Sequence, residues 1–282
     1  MARPPFAVEA YLPPFLPSIP PAEGALTVLS ANLRNPFFPP NRERRAATLA
    51  RLEAFARLVE AERADVLLCQ EVGRTRDFRV DNWLAERLGL GRVYARVNVR
   101  VTSIGREEGV AVFSRYPLTD PIVLPLTATR RLWRRAALGV SVRAPWGEVM
   151  VYTTHHSLRP WRNRRQPARL RRWVAATAEG RPALVGGDFN ADEDAPQMAD
   201  LSSTAVDSWP WIDTFRALHP SAGGATHELR LFGRVWRRRL DYLFLRPGRP
   251  ELRVTGCRHV MSSDIPFSDH GAVVVRLQPV HL

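Results

Sequence analysis

Asn32, Gln70-Glu71, His155, Asp188, Asn190, Asp241 and Asp269-His270 are scattered over most of a 282-residue chain. Each nevertheless stands at or just beyond the end of a short apolar stretch, or, for Asp241, inside one. Strand ends far apart in sequence converge on one rim when the strands share a sheet. Carboxylates, amides and imidazoles gathered in that way form a hard-metal site with proton-transfer partners, the equipment of metal-assisted hydrolysis.

Taken singly, each cluster has a plainer explanation. Gly186-Gly187-Asp188-Phe189-Asn190 could be an Asx turn after a strand. Glu71 could be a solvated loop carboxylate, and Asn32 a strand terminator. Asp269-His270 could be a turn carrying a surface imidazole. His155 and His156 are adjacent in an extended run, so one of them must face inward. Asp241 lies in an apolar run and needs a cationic or hydrogen-bonding partner, since a lone buried carboxylate is costly. All the plain explanations would have to hold together, and their common placement speaks against that.

The elements that must position these groups follow from periodicity. Residues 26–31, 65–70 and 183–187 read as buried strands, as do 109–114, 135–143, 148–154, 240–245 and 272–277. Pro145-Trp146-Gly147 reads as a hairpin turn. Residues 42–63 and 163–178 place apolar side chains at spacings of three and four, the signature of amphipathic helices, and 81–88 forms a shorter helix stopped by Gly89 and Gly91. Strand-helix-strand, a strand-rich middle and strand-helix-strand again predict an α/β fold, a four-layer α-β-β-α sandwich of two packed mixed sheets with helices outside. Residues 1–24, rich in proline, read as an extended leader, and 25–282 as a single catalytic domain.

An apolar fraction of 45% suits a folded domain with a substantial core. No apolar run reaches the roughly 18 residues of a membrane span. The start lacks the marks of a signal peptide, and two cysteines make no disulfide framework. A cytoplasmic monomer is the expectation, with a secreted form whose signal has been removed as the alternative. All 41 basic residues are arginine, and the formal net charge is +13. A genome rich in G and C accounts for arginine in place of lysine. It does not account for the excess of positive charge, which favours anionic partners.

The segments Ser30-Ala31-Asn32, residues 67–71, Gly109 through Pro117, Thr154-His155, Gly186 through Asn190, residues 239–244 and Ser268-Asp269-His270 together resemble the endonuclease/exonuclease/phosphatase superfamily, metal-dependent phosphoesterases with the fold of pancreatic-type deoxyribonuclease. The resemblance implies Glu71 as the main ligand of Mg²⁺ or Mn²⁺, assisted by Asn32 and Asp269. It implies that Asp188 and Asn190 hold the attacking water and a phosphate oxygen, or a second metal. His270 would move a proton with Asp241 fixing its tautomer, and His155 would hydrogen-bond the scissile phosphate. His156 stands where such proteins more often have an apolar residue.

Three arginine-rich stretches, 130–135, 159–165 and 230–239, adjoin these segments and interleave arginine with tryptophan, a combination suited to phosphate contact and base stacking. Arg159, Trp161, Arg162 and Trp236 are the expected substrate contacts. A nuclease is the first reading. A phospholipid-directed phosphodiesterase or phosphatase is the second, and an inactive binding module the third.

Overall fold

A computed structural model describes residues 6–12, 24–37, 43–100, 105–127, 133–202, 209–231, 234–261 and 263–280. Its strands are β1 (Val8–Tyr11), β2 (Leu26–Asn32), β3 (Val66–Arg74), β4 (Gly91–Arg100), β5 (Arg106–Ser114), β6 (Leu118–Pro125), β7 (Ala136–Ala144), β8 (Gly147–His155), β9 (Ala183–Asp188), β10 (Ile212–Asp213), β11 (His227–Leu231), β12 (Arg234–Arg238), β13 (Asp241–Arg246), β14 (Leu252–Val260) and β15 (Ala272–Pro279). The helices are α1 (Arg45–Glu62), α2 (Val80–Leu88), α3 (Pro160–Asn163), α4 (Gln166–Ala178), α5 (Pro196–Ser202) and α6 (Thr214–Leu218).

One sheet runs β1-β4-β5-β3-β2-β15-β14 and a second β10-β13-β9-β8-β7-β6, with β11 and β12 as a separate hairpin. Strand alternation divides the core into layers. Val28, Leu68, Val151, Leu184 and Leu243 pack between the sheets. Leu29, Leu67 and Cys69 turn outward to Leu52, Phe55 and Leu84 of α1 and α2. Tyr152, Val185 and Phe244 turn outward to Leu170 and Val174 of α4. The α-β-β-α sandwich predicted from the sequence is the observed architecture.

Two glycines set the spacing near the site. A Cβ on Gly186 would stand 2.8 Å from Leu68 Cδ1 in the opposite sheet, and one on Gly187, at φ +154°, 2.0 Å from the Thr154 carbonyl oxygen. The first permits close approach of the sheets and the second close approach of β8 to β9.

A short α3 that ends at Asn163 precedes, across Arg164 and Arg165, α4, which covers all but the start of the helix expected over 163–178. Pro160 opens the first and Pro167 lies in the first turn of the second; a proline lacks the N–H that would carry the ladder through. Val8–Tyr11 pairs with β4 as an edge strand. Arg130, Arg131 and the prolines between 13 and 21 lie outside the described residues.

Candidate active site

Strand parity delivers most of the site. On β8 the inward positions are Val149, Val151 and, continuing, Thr153 and His155; on β9 they are Leu184, Gly186 and Asp188; on β13, Leu245, Leu243 and Asp241. β8 and β9 run parallel with His155 beside Asp188, and antiparallel β13 begins with Asp241 opposite Asp188. In the other sheet, parallel β2 and β3 bring Asn32 beside Gln70. The polar groups thus meet where both sheets end, on their mutually facing sides.

Glu71 does not follow parity. Ordinary alternation would send it outward, because Gln70 points between the sheets and donates to Thr153 Oγ1 at 2.9 Å. Between Cys69 and Val72 two residues of β3 oppose one of β5, a bulge, and Glu71 adopts φ +53°. The bulge re-aims the carboxylate toward the rim, a use common beside functional sites.

Asp188 is the hub. Its Oδ1 accepts from the Asn190 backbone N–H at 2.8 Å, and its Oδ2 accepts from the amides of Asn190 and Asn32 at 3.1 Å each. Asn32 also donates to Glu71 Oε1 at 3.3 Å, joining the two carboxylates, while its own oxygen accepts from Arg34 N–H. His155 Nε2 stands 3.4 Å from Asp188 Oδ2 and 3.9 Å from Glu71 Oε1. His270 Nδ1 lies 2.8 Å from Asp241 Oδ2, and its Nε2 faces Asp188 Oδ2 at 4.0 Å. Asp188, Asp241 and His270 bring ligand-capable atoms within 4.8 Å of one another, a group that could hold a metal ion. Asp269 is half exposed and sits 4.0 Å from Arg34.

Protonation is set by burial and crowding. Burial lifts Asp188 to about 7; the Asp241 and Glu71 charges push the same way, against the pull of His270. Burial opposes charge on His270, but Asp241 and Asp188 outweigh it and hold the imidazole up at about 10. His155 goes the other way: burial, then Arg135, hold it well below its ordinary value. The rim therefore carries one protonated imidazole and one neutral imidazole on either side of a carboxylate. His156 points out of the site onto the Phe189 ring, 4.6 Å between centroids, and burial lowers it to about 3.

Three supporting residues carried no sequence signal. Thr226 Oγ1 donates to Asp241 at 2.7 Å and accepts the backbone N–H groups of Leu240 and Asp241. The Asn35 backbone N–H holds Glu71 at 3.0 Å, and its side chain holds buried Glu108 at 3.2 Å. Asn163 donates to the carbonyls of Ser157 and Phe189, stitching the loop after β8 to the loop after β9.

The arginine stretches differ in the structure. In 230–239, Arg237 pairs with Glu228 at 3.0 Å, Arg238 with Asp192 at 2.7 Å, and Arg239 with Glu193 and Asp213 at 2.9 and 2.7 Å. A cleft of about 790 Å³ beside these paired arginines holds none of the rim carboxylates or histidines. Trp236 lies on the exposed strand β12, opposite Leu229. Arg159 and Trp161 are exposed just beyond His155, with the guanidinium 5.4 Å above the indole. A cleft of about 200 Å³ there is lined by Trp133, Arg135, Ser157, Leu158, Arg159 and Arg162.

Comparison with known proteins bears on the whole rim. Residues 29–270 match the sequence model of the endonuclease/exonuclease/phosphatase family. A search of curated proteins finds no match. Among solved structures, an endonuclease/exonuclease/phosphatase family protein from Leptotrichia buccalis superposes with a TM-score of 0.69 at 19% identity, covering 90% of this chain and 99% of that one. The human Nocturnin catalytic domain with bound sulfate gives 0.70 at 19%, covering 98% and 99%. D. rerio TDP2 complexed with single strand DNA product gives 0.67 at 15%, covering 91% and 100%. At these identities the likeness speaks for the fold.

Proposed function

The chain belongs to the endonuclease/exonuclease/phosphatase family, whose members are phosphoesterase hydrolases, and on that premise we propose that it is a Mg²⁺- or Mn²⁺-dependent phosphodiesterase that cuts nucleic acid. The observation carrying the reading is the convergence of Glu71, Asp188 and Asp241 with two histidines of opposite protonation on one rim.

The donor set fits a hard cation. Oxygen atoms dominate it, burial presses Asp188 toward neutrality with Asp241 and Glu71 adding to it, and buried Asp241 Oδ1 has no hydrogen-bond partner among the described residues. Mg²⁺ takes few protein oxygens and keeps several waters. Glu71, with Asn32 and Asp269, would hold the ion, and Asp188 and Asn190 would hold the attacking water and a phosphate oxygen. When bound, the cation neutralises charge on the phosphodiester and acidifies a coordinated water.

The chain's own groups divide the remaining work. Asn190 spends its amide hydrogens on Asp188 and the His156 carbonyl, so its Oδ1 and the Asp188 carboxylate are left to orient the attacking water. Asp241 fixes His270 through Nδ1, leaving Nε2–H directed at the reaction centre for proton transfer. Neutral His155 donates from its ring to a phosphate oxygen without repelling the cation.

Nucleic acid is favoured as substrate by Arg159 and Trp161 directly beyond His155, by the net charge of +13, and by the DNA product in the TDP2 relative. Exposed Leu158, Trp161 and Trp133 support a phospholipid-directed phosphodiesterase as the second reading. Plasmid nicking, sphingomyelin hydrolysis and cleavage of a simple aryl diester, each with and without EDTA and with Asp188→Ala, test the ranking. Metal-dependent nicking absent from the variant is expected. Vigorous lipid hydrolysis without nicking would reverse the order.

A further inference from the structure

We propose that the outer face of α3 and α4 is a track for a nucleic-acid backbone leading away from the catalytic rim. The track consists of Arg159, Arg162, Arg164, Arg165, Arg169 and Arg172. This deepens the nuclease reading of the site and rests on it for the identity of the polyanion.

The observation is a contrast in compensation. The arginines of 237–239 are each tied to a carboxylate. None of these six, on α3, α4 or the residues that cap them, forms an ion pair with a carboxylate among the described residues, and all are exposed except Arg162, which is half-buried. α4 has no acidic residue in its first turn, and its opposite side is fully committed: Leu170, Val174 and Ala178 pack on the second sheet, while buried Arg171 donates to the Asp200 carbonyl. Arg165, Arg169 and Arg172 recur at spacings of four and three, so they share one stripe. At about 1.5 Å per residue the stripe covers roughly 10 Å. A duplex strand presents about three phosphates over that length at roughly 3.4 Å each. Unpaired, solvated guanidiniums of fixed spacing retain their full field for an incoming anion, whereas those of 237–239 have theirs cancelled nearby.

Position distinguishes a nucleic acid from a bilayer. β8 ends at the rim with His155, α4 follows, and β9 returns to the rim at Asp188. α4 must therefore descend the flank of the second sheet, and Arg172 lies about two turns below the rim. A flat membrane resting on Trp161 and Leu158 would not reach it. A flexible strand can follow the flank down.

The test compares the wild type with Arg165→Gln/Arg169→Gln/Arg172→Gln, all three on the solvent side. Binding of a fluorescein-labelled oligothymidylate is followed by anisotropy in EDTA over a salt series. Hydrolysis of the labelled oligonucleotide and of bis-p-nitrophenyl phosphate is measured with Mg²⁺. The triple variant is expected to bind about tenfold more weakly at low salt, with the slope of log Kd against log salt reduced by about 2, for three contacts at roughly 0.7 each. Its kcat/KM on the small diester should stay within about twofold of wild type. Unchanged affinity and slope, or no oligonucleotide binding by the wild type, would overturn the track. So would loss of binding to phosphatidylserine vesicles with oligonucleotide binding intact. A wild type that binds the oligonucleotide through these arginines but never cuts it would refute the nuclease reading and leave the track standing; cutting with an unchanged KM in the variant would do the reverse.

Discussion

Asp188 is both the most connected and the most crowded group on the rim. Replacing it with Asn keeps the shape and most of the hydrogen bonds while removing a buried charge opposed by Asp241 and Glu71. Asp188→Asn should therefore lower kcat by about 10²- to 10⁴-fold and leave the melting midpoint equal or higher, as expected where a functional residue is held at a cost to stability. A diester assay beside a thermal melt reads both, and a variant with a tenth of normal turnover would contradict the role. The paired histidines give a second comparison. Among the described residues His156 has no hydrogen-bond partner on either ring nitrogen, and it packs on Phe189, so His156→Leu should retain most activity. His155→Ala should lose nearly all of it; equal effects in the two kcat measurements would mean the inward imidazole has been misassigned. That these residues would meet on one rim was legible because strand-end placement and parity are sequence properties. The aim of Glu71 was not, since a bulge depends on pairing with β5. Thr226, Asn35 and Asn163 were silent because a single Thr or Asn in a loop or at the end of a short helix looks like any other.

At the level of elements, the sequence pattern reveals strands that are buried on both faces and blurs those that are not. β2, β3 and β9 are continuous apolar runs, buried throughout or nearly so. β14 alternates buried with exposed positions and is interrupted at Gly256, which hides an edge strand. β1 is another edge strand, and ion pairs reinforce its ladder with β4. Glu9 pairs with Arg79, with Arg74 at 3.0 Å and with Arg96 at 3.4 Å. Burial alone would raise the Glu9 carboxyl, but Arg74 and then Arg79 overcome it and hold it at about 2 against an ordinary 4.5. A carboxyl depressed by folding contributes stability that is complete above its unfolded value and lost as pH falls through its folded one. Glu9→Gln should thus melt below wild type at pH 6, the gap closing as the pH falls from 4.5 toward 2. A gap independent of pH would point to packing instead.

For the whole molecule, three carboxylates meeting where two sheets end should make the stability of the fold depend on cations. Mg²⁺ at about a hundred times its Kd should add roughly 2.7 kcal/mol to stability, read as a rise in melting midpoint that EDTA abolishes and Asp188→Asn diminishes. No rise in the wild type would argue against a resident cation. The layer architecture was readable from the order of strand and helix patterns, but the sheet order was not, because it depends on which distant strands pair. The sheet order also has a temporal consequence. β2 lies between β3 and β15, and His270 immediately precedes β15. On the ribosome, some 240 residues separate the emergence of β2 from that of its second neighbour. Throughout that interval a nascent chain presents an open strand edge, the kind of surface that recruits aggregation or a holding chaperone. A polypeptide stalled before residue 270 would carry Glu71, Asp188 and Asp241 but lack His270, so the rim is complete only as the first sheet closes.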